Sequence, residues 1–176
     1  MEGGAKSNFY TFLGFFFVFV IIALFIAPII NEMLIAYILN QYACQFSQRA
    51  TFDPVRGFQI ITTPLCELEI NQRIFLLSIG PLGNLAISII LFLGSVIAKT
   101  KNRHKHSLTL AVLFLGFFSF PVFLMLSGEG ELYEVFRLGG MEPALWQLPI
   151  LGGVLLALAV VYLWFCIRRF LREGEV

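Results

Sequence analysis

Leu77-Ser78-Ile79-Gly80-Pro81-Leu82-Gly83-Asn84-Leu85 lies near the start of an uncharged apolar run, Ile74 to Ala98. Gly, Pro and Asn together are unusual inside a helix of membrane-spanning character. Pro81 lacks a backbone donor, Gly80 and Gly83 leave the backbone bare, and Asn84 carries an amide that lipid cannot satisfy. Such a stretch is tolerable where another part of the protein packs against it, so a helical bundle is the expected fold.

The rest of the chain agrees. Of its 176 residues, 59% are hydrophobic and 13% charged, and the mean hydropathy is +0.86. So few charges could not cover so much apolar surface in a soluble domain. The apolar residues also fall in long blocks. Phe9 to Ala43 carries one charge, Glu32, while Ile74–Ala98, Leu108–Ser127 and Leu145–Ile167 carry none. Blocks of about 20 apolar residues match the hydrocarbon thickness of a bilayer. The expectation is an all-α, multi-pass integral membrane protein in which residues 1–176 form a single membrane domain. The N-terminal apolar run is too long for the core of a cleaved signal, and no small-residue cleavage pattern follows it before Pro28. A net charge of +1 gives no reason to expect nucleic acid as a partner.

Phe9 to Ala43 would be about 52 Å long as one helix, against roughly 30 Å of hydrocarbon. Pro28 is the natural break, because it disfavours helical geometry at Ala27 and suits the first turn of a new helix. The expected helices are therefore 9–27, 28–42, 74–98, 108–126 and 145–167. These give four to five membrane helices, depending on whether 9–43 is one kinked span or two. Between the second and third, the polar segment 44–73 alternates in two places. Cys66, Leu68 and Ile70 alternate with Glu67 and Glu69, and Phe58, Ile60 and Thr62 alternate more weakly with Gln59 and Ile61. With Thr63-Pro64 as a turn, this predicts a small β-hairpin near the membrane surface.

Basic residues set the expected orientation. Lys99, Lys101, Arg103 and Lys105 crowd one short loop, and Arg168, Arg169 and Arg172 follow the last span, whereas 127–144 has only Arg137. The 99–106 loop and the C-terminus should be cytoplasmic. The 127–144 and 44–73 segments then face outward, although Arg49, Arg56 and Arg73 run against the second assignment. Cys44 and Cys66 flank the polar segment. They pair if it meets an oxidising compartment and otherwise fill apolar space. Cys166 ends a span and is expected to be inert. His104 and His106 sit among cations, which disfavours a metal ion and suits anionic lipid headgroups.

Glu32 is the one acid inside an apolar block, next to Asn31. An ionisable group at depth costs at least ~2.5–3.5 kcal/mol and marks a candidate site. The alternatives are a position at the membrane edge, or a protonated structural carboxyl bonded to Asn84. Glu129, Glu131 and Glu134 lie in a Gly-rich acidic stretch that reads most simply as a solvated loop. No Ser/His/Asp or Cys/His set exists for nucleophilic catalysis.

Three pieces occur in a suggestive order: Asn31-Glu32-Met33-Leu34-Ile35 on a helix, then the hairpin segment and Gly80-Pro81-Leu82-Gly83-Asn84, then a later span followed by Gly128-Glu129-Gly130-Glu131. Over about residues 20–140 this resembles the site-2 protease family of intramembrane zinc metalloproteases. That family has H-E-x-x-H on one helix, a membrane-associated β segment, G-P-x-x-N at the start of the next helix, and an acidic third ligand near a Gly. The resemblance places the general base at Glu32 and the third ligand at Glu131, or less well at Glu129. It implies a zinc site facing the cytosol, with the β segment on that side, opposite to the charge pattern. Both zinc-binding His positions are lost, to Asn31 and Ile35. Asn is a poor zinc ligand and Ile is none.

The resulting expectation is a catalytically inactive, site-2-protease-like membrane protein without cofactor. It would act as a binding or regulatory scaffold for a transmembrane segment, a lipid or a partner subunit. The vestigial site would be Asn31, Glu32, Asn84 and Glu131, with Asn84 hydrogen-bonded to the Asn31–Glu32 region. Three readings compete with it. One is an active intramembrane metalloprotease with an unusual site, the only one that requires zinc. The others are a small ion-coupled transporter using Glu32, and an accessory subunit of a larger membrane complex.

Overall fold

The computed structural model describes residues 2–53, 57–101, 103–127, 131–141 and 145–173. Helix α1 spans Glu2–Ile21, a π-helical turn covers Ile22–Ile26, and α2 covers Ala27–Gln41. Strands β1 (Phe46–Asp53) and β2 (Gly57–Pro64) follow, then α3 (Ile70–Thr100), α4 (His104–Leu126), the short α5 (Glu131–Leu138) and α6 (Gln147–Glu173). Among the described residues, four helical stretches are long and apolar enough to cross a membrane: Tyr10–Gln41, Ile70–Thr100, His104–Leu126 and Gln147–Leu171.

Pro28 does not break the first span. Ala27 keeps helical torsions (φ −63°, ψ −44°), and its N–H reaches back to the Ile22 carbonyl. The wider π turn makes room for the proline ring and absorbs the donor that Pro28 lacks, so α1 and α2 form one continuous run. At about 48 Å from Tyr10 to Gln41, this run exceeds the hydrocarbon thickness. It stops at Ala43, whose φ of +51° is left-handed. There Cys44 N–H donates to the Leu39 carbonyl and Ala43 N–H to that of Asn40, closing the helix end and turning the chain into the hairpin.

The hairpin is displaced from its expected position. Strand β1 pairs antiparallel with β2 in the register Phe46↔Pro64 to Asp53↔Gly57. Thr63-Pro64 therefore ends a strand instead of turning it, and the alternating residues from Cys66 to Glu69 are not a strand. Two local features override that alternation. Cys66 is bonded to Cys44, and Glu69 N–H donates to Gln72 Oε1 at 3.1 Å in a capping box that starts α3. The disulfide and the Leu65 N–H to Gln45 carbonyl bond (2.8 Å) close the base of the hairpin.

Helix α3 is the central element, packing on α2, α4 and α5, while α6 packs on α4. Its buried positions include Gly80, Pro81, Asn84, Ser88, Ser95 and Ala98, whereas Leu82, Ile89, Ile90 and Leu93 are exposed. This inverts the soluble pattern, as expected where lipid is as apolar as leucine and helices associate through small residues and internal hydrogen bonds. Farther along, Ser95, Ser107 and Tyr162 tie α3, α4 and α6 together. Ser95 Oγ donates to the Ser107 carbonyl at 2.8 Å and lies 2.9 Å from Tyr162 Oη, while Ser107 Oγ donates to the Ser95 carbonyl at 3.0 Å. The acidic stretch after α4 is not all loop, since Glu131 to Leu138 is helical. Glu129 lies outside the described residues.

The fit of α2 on α3 is tight at two glycines. A β-carbon on Gly80 would stand 1.8 Å from Asn31 Oδ1, and one on Gly83 would stand 2.3 Å from Leu34 Cδ1. Gly14 has nothing within 4 Å of the same position. Gly80→Ala should lower the melting temperature of the purified protein, because overpacking of about 1–3 kcal/mol outweighs a helix-propensity gain of about 1 kcal/mol. Gly14→Ala should leave it unchanged or slightly raised. Equal melting of the two variants would contradict this packing.

Candidate functional site

Asn31 and Glu32 sit midway along α2, where it crosses α3. Both are buried, Asn31 at 2% and Glu32 at 9% exposure. Gly80 makes this possible, because its bare α-carbon receives the Asn31 side chain. The Asn31 amide nitrogen spends its two hydrogens on two carboxylates, Glu32 Oε1 at 3.2 Å and Glu131 Oε1 at 3.3 Å. Those two acceptors fix the orientation of the amide. The other Glu32 oxygen accepts the Thr62 backbone N–H at 2.8 Å. That N–H points away from β1, so Gln48↔Thr62 is a pair without mutual ladder bonds, and Glu32 occupies the outer edge of β2 as a neighbouring strand would.

Of the residues singled out by sequence, Asn31, Glu32 and Glu131 come together. Asn84 is close but does not join them. Its amide donates to the Ala27 and Gly80 carbonyls, both at 3.2 Å, so the expected bond to Asn31 or Glu32 is corrected to one with the α2 backbone a turn earlier. Antiparallel packing sets this offset, with Ala27 facing Asn84 and Asn31 facing Gly80. Ile35 points elsewhere, into an apolar cluster with Leu39, Cys44 and Leu76. Thr62 had no signal in the sequence, because its contribution is a backbone group. The helix that carries Glu131 was equally hidden, although Glu131 and Glu134 in its first turn and Arg137 in its last complement the helix dipole. An Arg73–Glu134 ion pair holds α5 against the start of α3.

The three polar side chains stand on the wall of a cavity of about 490 Å³. Its other walls are mostly apolar, including Phe19, Leu24, Phe120, Phe123 and Leu156, with Ser119 and Ser127 among them. Ile60 and Ile61 of β2 close part of it, and among the described residues its charged lining is Glu32 and Glu131.

The donors present do not suit zinc. Two carboxylates and an amide contain no imidazole or thiolate. Among the described residues, no three of His, Cys, Asp and Glu gather in one place. What the arrangement can do is hold a proton. Burial pushes the Glu131 carboxyl up from 4.5 to about 7, the neighbouring Glu32 charge pushes the same way, and the Asn31 hydrogen bond opposes both. Compared with models of protein families, with curated proteins and with solved structures, the chain matches none.

The raised Glu131 value has a defined sign. Between about 4.5 and about 7 the folded protein keeps a proton that the unfolded chain has released. Stability therefore falls as pH rises through that window and levels off above it. Wild-type melting temperature should drop between pH 5 and pH 8. Glu131→Gln, which mimics the protonated form and still accepts from Asn31, should flatten the profile. An unchanged slope in the variant would assign the titration elsewhere.

Proposed function

We propose that this protein is a non-hydrolytic scaffold, built on a site-2-protease-like arrangement of helices, that holds a transmembrane segment of a partner protein in the cavity beside Glu32. The observation that carries this reading is the state of Glu32. The general base of a hydrolase must be able to reach a water bound at the reacting centre. Here both carboxylate oxygens accept hydrogen bonds from the protein's own donors, Asn31 and Thr62, and the first ligand position is itself one of those donors. Glu32 thus serves to anchor the hairpin to α2. The adjoining cavity has apolar walls supplied by several helices, and a few polar groups at one end would give register to an apolar helix lying in it.

In this reading the site opens to the outer, oxidising side, and the C-terminus is cytoplasmic. Two independent features favour that orientation. The crowded cations of 99–106 and 168–172 lie at the opposite end of the bundle from the hairpin. The Cys44–Cys66 disulfide closes the hairpin, and such bonds persist in oxidising compartments. This is the reverse of the sidedness that the family resemblance implies.

Metal analysis of the purified protein should find zinc well below one per chain. One zinc per chain, lost in Glu32→Gln, would overturn the scaffold reading in favour of an active protease. A photo-crosslinker at Leu24 or Phe123 should yield adducts whose peptides map to a transmembrane segment of another protein, and adducts with lipid alone would remove that occupant. For orientation, intact cells treated with an impermeant reductant and then an impermeant maleimide should be labelled at Cys44 and Cys66. Labelling that requires permeabilised cells would reverse the orientation.

A further inference from the structure

A second, separate crevice lies at the basic end of the bundle. Helices α1 and α6 both lean on α4, and the space between them along the α4 surface encloses about 520 Å³. Phe12, Phe16 and Phe19 line it from α1, Leu108 and Val112 from α4, and Ile167, Phe170 and Leu171 from α6. Among the described residues, its lining contains one polar side chain, Thr11. The walls therefore offer nothing to orient a polar helix or an extended backbone, and they suit a hydrocarbon chain. Beneath it, Leu108, Ala111, Val112 and Cys166 form a closed apolar cluster, so the floor is packed protein.

The residues that adjoin the crevice along the chain are opposite in character to its walls. Residues 99–106 contain Lys99, Lys101, Arg103 and Lys105 and no acid. Lys105 lies one turn before Leu108, on the same side of α4, and is exposed. Arg168 and Arg169 follow Ile167 directly and are exposed on α6. A ligand that fits both the walls and these cations needs a long apolar chain and a negatively charged head. We infer that this crevice is a binding site for an anionic phospholipid, with an acyl chain between α1 and α6 and the phosphate among Lys105, Arg168 and their basic neighbours. The inference rests on neither the proposed scaffold role nor the direction in which the bundle is inserted.

Native mass spectrometry of the purified chain tests this with phosphatidylglycerol and phosphatidylcholine of identical acyl chains. Retention of phosphatidylglycerol adducts, with a rise in melting temperature that phosphatidylcholine does not produce, is expected. A cation near the headgroup is worth about fivefold in affinity, so Lys105→Gln with Arg168→Gln should weaken phosphatidylglycerol retention by about 25-fold and leave phosphatidylcholine unchanged. Both side chains are exposed, so the variant should fold. Raising the salt concentration should erase the preference in the unmutated protein, giving a second reading free of mutation. Millimolar glycerol phosphate should not compete, because it lacks the chain that fills the crevice. Equal retention of the two lipids, a preference that survives the double variant, or displacement by glycerol phosphate alone would overturn the proposal. So would self-crosslinking through Phe16, which would assign the crevice to a second copy of the chain.

Discussion

Asn84 donates from α3 to the Ala27 carbonyl of α2 and to the Gly80 carbonyl of its own helix. In the apolar interior of a bundle an amide without partners is expensive, and the bond to Ala27 holds the two helices at one relative height. Everything near the site follows from that height. Gly80 then faces Asn31, Gly83 faces Leu34, and neither approach leaves room for a β-carbon. Sliding α2 by one turn would withdraw Asn31 from Gly80 and break its bridge between Glu32 and Glu131. The π turn ahead of Pro28 belongs to the same arrangement, because it lets the helix carrying Ala27 and Asn31 continue straight past the proline.

The cluster at the crossing is held from three directions. Helix α2 supplies Asn31 and Glu32, the hairpin supplies the Thr62 N–H, and α5 supplies Glu131. The disulfide fixes where the hairpin leaves and rejoins the bundle, and the Arg73–Glu134 ion pair does the same for α5. The Glu32 carboxyl satisfies a strand edge here. Its partners are an amide and a backbone N–H, so its task in the fold is structural. At the other end of the bundle Ser95, Ser107 and Tyr162 form a second polar contact. These two polar zones, with apolar packing between them, set the relations among α2, α3, α4 and α6.

Much of this was legible in the chain itself. Long uncharged blocks have the length and composition of membrane helices, whose backbone groups find internally the partners that a bilayer does not offer. Gly80, Pro81 and Asn84 announced a close helix contact, and Glu32 announced a buried polar cluster, each because its residue type is costly in lipid without a specific neighbour. The hairpin was anticipated, but its strands were misplaced. The alternation of Cys66 to Ile70 is a local signal, and a disulfide and a helix cap outweighed it. Pro28 was read as a break for a similar reason. Proline dictates what its own residue cannot do, while the remedy came from a change of pitch in the preceding turn.

The sequence by itself determined the class of the protein, its long apolar segments and the contact of the Asn31 helix with the Asn84 helix. These depend on residue identity and on spacing along a helix, which a linear chain carries in full. Only the tertiary structure decided that Asn84 meets Ala27, that Glu32 is capped by Thr62, and that Glu131 comes from a helix to share the Asn31 amide. Those contacts join residues up to 100 positions apart. They depend on helix register to within one turn and on which backbone groups are left facing outward, and neither quantity is written in any local pattern of side chains.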